Sequence, residues 1–140
     1  MSFYIDTSVL VAYYCPEGLS DKAEEFLTTH LQPAISALTE LELFSAVSRK
    51  IREGGLSKRD ANRIVATFIS HTDGRFYTHL PVQSHHYRLA RDWIGLFKSG
   101  LKSLDALHLA IASSEGLTIV SGDRNLFKSA EALGLKAILL

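Results

Sequence analysis

The chain has 140 residues, 46% of them hydrophobic, with fifteen basic and fifteen acidic side chains and a formal net charge of zero. That length gives one domain over residues 1–140 with room for a core, and the charge balance excludes a global pull onto nucleic acid, leaving local basic patches to make any such contact. The single Cys15 excludes an internal disulfide and is expected as a small buried hydrophobe in a reducing compartment; with no signal-type segment after Met1 and no apolar run that spans a bilayer, the expectation is a cytoplasmic protein without membrane association.

Phe3-Tyr4-Ile5 has high β-propensity and runs into Asp6-Thr7-Ser8 and then an apolar stretch. This predicts a short buried strand, a tight turn and a helix over Val9–Tyr14, closed by Pro16 and Gly18. Ser20 opens a helix to about Leu31, with Asp21 and Glu24 in a capping signature. Pro33–Ala37 is a second strand. A long helical pattern covers Leu38–Glu53 and stops at Gly54-Gly55. Ser57 caps a helix to about Ser70, Thr72-Asp73-Gly74 is a turn, and Phe76–His79 is a third strand. Gln83–Phe97 is helical, with Tyr87, Trp93 and Phe97 expected in the core and His85-His86 on its surface. Ser103 caps a helix over Leu104–Glu115, which Gly116 ends. Leu117–Ser121 is a strong fourth strand, Asp123 leads into a helix to Leu133, and Ala137–Leu140 is a last short strand.

Strands alternate with helices, and no hairpin turn joins neighbouring strands. The pattern predicts an α/β sandwich with a mostly parallel central sheet of about four to five strands. The helices Leu38–Glu53 and Ser57–Ser70 form a hairpin inserted between the second and third strands.

Ligands of parallel sheets bind at the carboxyl ends of the strands. Asp6 and Asp123 both lie there, each with a serine two residues away, Ser8 and Ser121. Asp105 opens a helix on the same edge, where the dipole favours its ionised form. Glu42 or Glu40 reaches that edge from the helix after strand two, but not both, since residues two apart point to different faces. Each acid also has a structural explanation: Asp6 as helix cap, Asp105 as dipole partner, Asp123 as turn former, Glu42 as solvated surface. Together they make a cluster. Two ionised carboxylates about 4 Å apart repel by about 4 kcal/mol at an effective dielectric near 20, so the set must hold a cation or partly protonate. All-oxygen ligands select Mg²⁺ or Mn²⁺ over Zn²⁺. His108 shares a helix face with Asp105, although a hard-oxygen site gains little from imidazole.

Four segments carry a resemblance: Asp6-Thr7-Ser8-Val9-Leu10, Thr39-Glu40-Leu41-Glu42-Leu43, Leu104-Asp105-Ala106-Leu107-His108-Leu109-Ala110 and Ser121-Gly122-Asp123-Arg124-Asn125-Leu126. In that order, over essentially the whole chain, they resemble the PIN-domain ribonucleases, most closely the VapC toxins of type II toxin–antitoxin pairs. The resemblance implies a PIN-like α/β/α sandwich and a Mg²⁺-dependent endoribonuclease, with Mn²⁺ as substitute. It implies metal ligation and catalysis by Asp6, Glu42, Asp105 and Asp123, and products with a 5′-phosphate and a 3′-hydroxyl. The family's T-x-x-E-L pattern falls on Thr39 and Glu42 and selects Glu42 over Glu40. Some relatives have a further acid where this chain has Asn125. Ser8 and Ser121 are expected to orient ligand carboxylates or a bound water. Arg49, Lys50 and Arg52, with Lys58, Arg59 and Arg63, load the hairpin with positive charge for RNA or simply form solvated helix faces. The resemblance also implies a small cognate antitoxin and a homodimer. Two rival readings are an inert PIN-like module that binds RNA or protein, and an aspartyl phosphatase of the haloacid dehalogenase type. The phosphatase pattern wants an acid at Ser8 and a second acid beside Asp123, and this chain has neither.

Overall fold

A computed structural model describes residues 2–98 and 100–140. Five strands form one sheet: β1 (Phe3–Ile5), β2 (Ala34–Ser36), β3 (Thr78–Leu80), β4 (Thr118–Ser121) and β5 (Ala137–Leu139). Their order across the sheet is β3-β2-β1-β4-β5, and every neighbouring pair is parallel. The helices are α1 (Thr7–Tyr14), α2 (Ser20–Thr29), α3 (Ala37–Arg52), α4 (Lys58–Asp73), α5 (Ser84–Ile94), α6 (Ser103–Ser114) and α7 (Arg124–Ala132).

Strand side chains alternate between two cores, as a period of two demands. Ile5, Ile35 and Val120 enter one with residues of α1 to α4, while Tyr4, Ala34 and Ile119 enter the other with residues of α5, α6 and α7. The chain is therefore three layers deep, with the sheet in the middle. Strand β1 lies at the centre, in register with β4 through Tyr4 opposite Ile119 and Ile5 opposite Val120. The chain switches sides at this strand, and α/β sheets bind ligands at such a switch point. The α3–α4 hairpin stands between β2 and β3 as expected. Cys15 is buried. No helix among the described residues is long and apolar enough to cross a membrane.

Several local expectations are corrected. Ser20 does not cap α2: its hydroxyl accepts from Glu17 N–H at 2.8 Å and donates to the Cys15 carbonyl at 3.1 Å, closing the turn before the helix. Ser103 does not cap α6, whose N-cap is Lys102 without a side-chain bond. Helix α4 continues through Thr72 and Asp73, and β3 starts only at Thr78, because Phe76 stacks on His71 and Tyr77 turns into the core. Helix α5 stops at Ile94, which leaves Phe97 87% exposed at φ 52; Tyr87 is 58% exposed, so neither is a core residue. His86, expected at the surface, is buried, and its Nδ1 accepts from Gln83 N–H at 2.9 Å to close the first turn of α5.

Candidate functional site

Asp6 follows β1 directly and caps α1, accepting from Ser8 N–H at 2.8 Å and Val9 N–H at 3.4 Å. The carboxylate that caps α1 also receives two serine hydroxyls. Ser8 Oγ donates to Oδ1 at 2.5 Å and Ser121 Oγ to Oδ2 at 2.6 Å. Each serine oxygen in turn accepts a backbone N–H from the β4–α7 connection, Gly122 to Ser8 and Asp123 to Ser121, both at 2.9 Å. The carboxylate is 4% exposed, and its burial raises its pKa although both serines pull it down.

Glu42 projects from the second turn of α3 to the same edge. Thr7 Oγ donates to its Oε1 at 2.6 Å, and His108 Nε2 makes a short contact with the same oxygen. Both bonds fall on Oε1, so Oε2 keeps its lone pairs. Burial alone would raise the Glu42 carboxyl, but the hydrogen bond from His108, the charge that ring carries in its protonated form, and the hydrogen bond from Thr7 hold it below the usual range. Glu40 turns away and pairs with His79 at 2.8 Å, so only one of the two glutamates faces the site.

Asp105 lies half-buried in the first turn of α6 and makes no hydrogen bond among the described residues. Its carboxyl is pushed up by burial and next by the charge of Asp123, with smaller additions from Asp6 and Glu42. The helix dipole, expected to favour its ionised form, is outweighed. Asp123 is exposed and caps α7, with Oδ1 accepting from Asn125 N–H at 2.8 Å and Leu126 N–H at 3.4 Å. Asn125 thus supplies backbone to the site's edge. The four acids come from four separate segments, Asp105 feels the charge of the other three, and no Lys or Arg among the described residues pairs with any of them.

They do not form a closed shell. The one triplet among the described residues whose ligand atoms all lie within 4.8 Å is His85, His86 and Glu115 instead. That triplet is poorly suited to a metal: the Gln83 N–H on His86 Nδ1 keeps the ring's proton on Nε2, which faces Glu115 Oε1 at 3.6 Å. The acidic edge fits a hard cation better. Its donors are carboxylate oxygens with unused lone pairs, its charges repel, and Mg²⁺ keeps several of its waters and so needs no complete protein cage.

A cavity of about 570 Å³ opens beside the acids, lined by Thr7, Ser8, Leu19, Glu42, Arg49 and Leu104 among others. Arg49 is therefore near the site, though it also pairs with Glu53 at 3.6 Å. Lys50 is held by Glu17 at 3.5 Å, and Arg52 donates to Ser48 at 2.9 Å; neither lines the cavity.

Residues without an expected role also enter the site. The Tyr4 hydroxyl meets His108 Nδ1 at 2.7 Å, Ser36 Oγ at 2.8 Å and Thr39 Oγ1 at 3.1 Å. Ser36 and Thr39 form the capping box that starts α3 and so aim Glu42. A Cβ at Gly122 would come within 2.3 Å of Leu19 Cδ2, the far end of a side chain, which would have to move aside. The hydroxyl-rich run Thr7-Ser8 was the one visible signal for the role of Thr7.

An all-parallel α/β fold with an acid-lined switch point defines the class. The chain belongs to the PIN domain family, whose model matches residues 3–133. No match is found among curated proteins. Among solved structures, the chain is similar to FitAcB from Neisseria gonorrhoeae, at 17% identity and a TM-score of 0.72, over 97% of this chain and 96% of that one. It is similar to the sarcin-ricin loop cleaving toxin VapC20 of Mycobacterium tuberculosis, at 16% identity and a TM-score of 0.73, over 91% and 95%. It is similar as well to VapBC2 from Rickettsia felis bound to a DNA fragment from its promoter, at 18% identity and a TM-score of 0.72, over 100% and 99%.

Proposed function

We propose that the protein is a metal-dependent endoribonuclease and the toxin of a type II toxin–antitoxin pair. The observation that carries this is the edge itself: Asp6, Glu42, Asp105 and Asp123 gathered without a lysine or arginine partner, with the ionised form of Asp105 disfavoured by burial and then by its acidic neighbours. A binding module has no use for repelling carboxylates, whereas a hydrolase that needs a divalent ion does.

In this reading the four acids hold Mg²⁺, with Mn²⁺ as substitute. When bound, the ion lowers the pKa of a water and offsets charge on the phosphate. The protein's own groups do the positioning. Ser8 and Ser121 fix both oxygens of Asp6, Thr7 and His108 fix Glu42, and the cap of α7 fixes Asp123. Arg49 at the cavity rim draws the RNA backbone, with Lys50 and Arg52 adding weaker local field. Membership of the PIN family and the toxin–antitoxin neighbours support an antitoxin partner. Exposed Leu41 and Phe44 on α3 and Ile69 on α4 offer apolar surface for that partner or for a homodimer.

The test is cleavage of a labelled single-stranded RNA by purified protein in Mg²⁺, in Mn²⁺ and in EDTA. Cleavage in either metal and none in EDTA is expected. Inactivity in both metals across several RNAs would leave an inert binding module. Turnover of p-nitrophenyl phosphate that is lost in Asp6→Asn would point to the phosphatase chemistry.

A further inference from the structure

The geometry points to Tyr4 as a positioning residue of the acidic site, acting through His108 on Glu42. The inference rests on the nuclease reading and assigns a role to a side chain in the middle of the sheet.

Tyr4 is fully buried in β1, and its ring belongs to the core beneath α6. Phenylalanine would fill the same space without burying a hydroxyl, which costs free energy unless bonded. That hydroxyl has three partners, from β2, α3 and α6. The orientation of the chain of bonds follows from the donors available. The Glu42 carboxylate can only accept, so His108 Nε2 must carry a proton toward it. In the neutral imidazole, Nδ1 is then the acceptor, and Tyr4 O–H donates to it at 2.7 Å. The tyrosine oxygen is free to accept from Ser36 or Thr39, which hold it in place. Tyr4 thereby selects the tautomer that donates to Glu42. His108 is 3% exposed and Glu42 Oε1 takes both of the carboxylate's bonds, so the ring fixes which oxygen, Oε2, remains for a ligand. A ligand carboxylate held by a histidine, held in turn by a buried hydroxyl, is the outer support that metal sites depend on.

Tyr77 supplies the control. It is also buried, and its hydroxyl bonds to Tyr14 at 2.6 Å, but it touches none of the acids or their partners. The experiment compares wild type, Tyr4→Phe and Tyr77→Phe in three measurements: Mn²⁺ binding by titration calorimetry, RNA cleavage with kcat and KM separated, and ¹⁵N spectra of the labelled histidines. Tyr4→Phe is expected to weaken Mn²⁺ binding or lower kcat by about 10-fold to 100-fold, with KM little changed. His108 is expected to lose its single Nε2–H signature. Tyr77→Phe should match wild type in all three. Equal behaviour of the two variants, or an unaltered His108 signature in Tyr4→Phe, overturns the inference and leaves the nuclease reading standing. A wild-type chain that binds no Mn²⁺ and cuts no RNA removes that reading and this inference with it. If Tyr4→Phe does not fold, His108→Gln and His108→Asn decide. The glutamine amide reaches the place of Nε2 and the asparagine amide only that of Nδ1, so Gln should keep more Mn²⁺ affinity than Asn. The reverse order, or none, overturns the role of His108 as the link.

Discussion

Two hydrogen-bond networks in this protein, one buried and one half-buried, start from the same pair of groups and end differently. On one face of the sheet the Tyr4 hydroxyl meets His108 Nδ1 at 2.7 Å, and on the other the Tyr14 hydroxyl meets His71 Nδ1 at 2.6 Å. The first continues through His108 to Glu42 and opens on the cavity that Glu42 lines. The second continues to the Tyr77 hydroxyl and stays among Tyr13, Phe68 and Phe76, a cluster of rings that joins α1, α4 and the approach to β3. The same tyrosine–histidine bond is thus used once to aim a carboxylate and once to satisfy hydroxyls inside an aromatic wall. Chemistry lies in where the chain of bonds ends.

The comparison breaks most sharply at the acids. Asp105→Asn should lower RNA cleavage on the order of 100-fold or more, about 2.7 kcal/mol of barrier. The same variant, melted in EDTA, should be as stable as wild type or more so, since one repelled charge is gone. Marked loss of stability would show Asp105 to be structural. In the aromatic wall the effects reverse. Tyr14→Phe should cost about 1 kcal/mol in urea denaturation by stranding the buried Tyr77 hydroxyl, with cleavage within twofold of wild type; a larger fall in activity would join the two networks into one.

The pH dependence separates two acids of the same edge. Asp105 has its folded pKa raised, so its contribution to stability is greatest below the unfolded aspartate value of about 3.9 and is lost as pH climbs to the folded value. Glu42 has its folded pKa lowered, so its contribution is present above the unfolded glutamate value of about 4.3 and is lost as pH falls through the folded value. In metal-free protein Asp105→Asn should therefore gain on wild type as pH rises through the carboxylate range, while Glu42→Gln should fall behind it. Urea midpoints at several pH values check this, and parallel trends would refute the opposite shifts. The smallest effect is expected from Gly122→Ala. Its methyl group pushes on the free end of Leu19, a cavity-lining side chain able to swing, for about 1 kcal/mol of stability. RNA KM should rise and kcat hold.

The sheet, its helices and the edge where the acids gather were legible because they follow from local patterns: short apolar strands, glycine stops and acids at strand ends. Asp6, Asp105 and Asp123 need nothing more to be placed. Glu42 was different, since helical spacing alone left Glu40 as an equal candidate, and the family pattern with Thr39 separated them. What stayed hidden depends on distant partners. Nothing near Tyr4 says that its hydroxyl meets a histidine 104 positions away. The wrong serine cap at Ser20 has a local cause, as a serine at the start of a helix can equally close the preceding turn; nothing in the structure explains the same miss at Ser103. His86 was misplaced because an imidazole, rather than a short hydroxyl side chain, closes the first turn of α5. Phe97 continued the helical spacing past the point where Gly95 ends the helix.

The central placement of β1 has a consequence for synthesis. Its two neighbours in the sheet, β2 and β4, lie far apart in the chain, and Asp6 is held by a serine 115 positions downstream. A nascent chain on the ribosome therefore carries Asp6 long before it can complete the set, which waits until Asp123 has left the exit tunnel. The edge is whole only once the segment after β4 has emerged and found the strand made long before it.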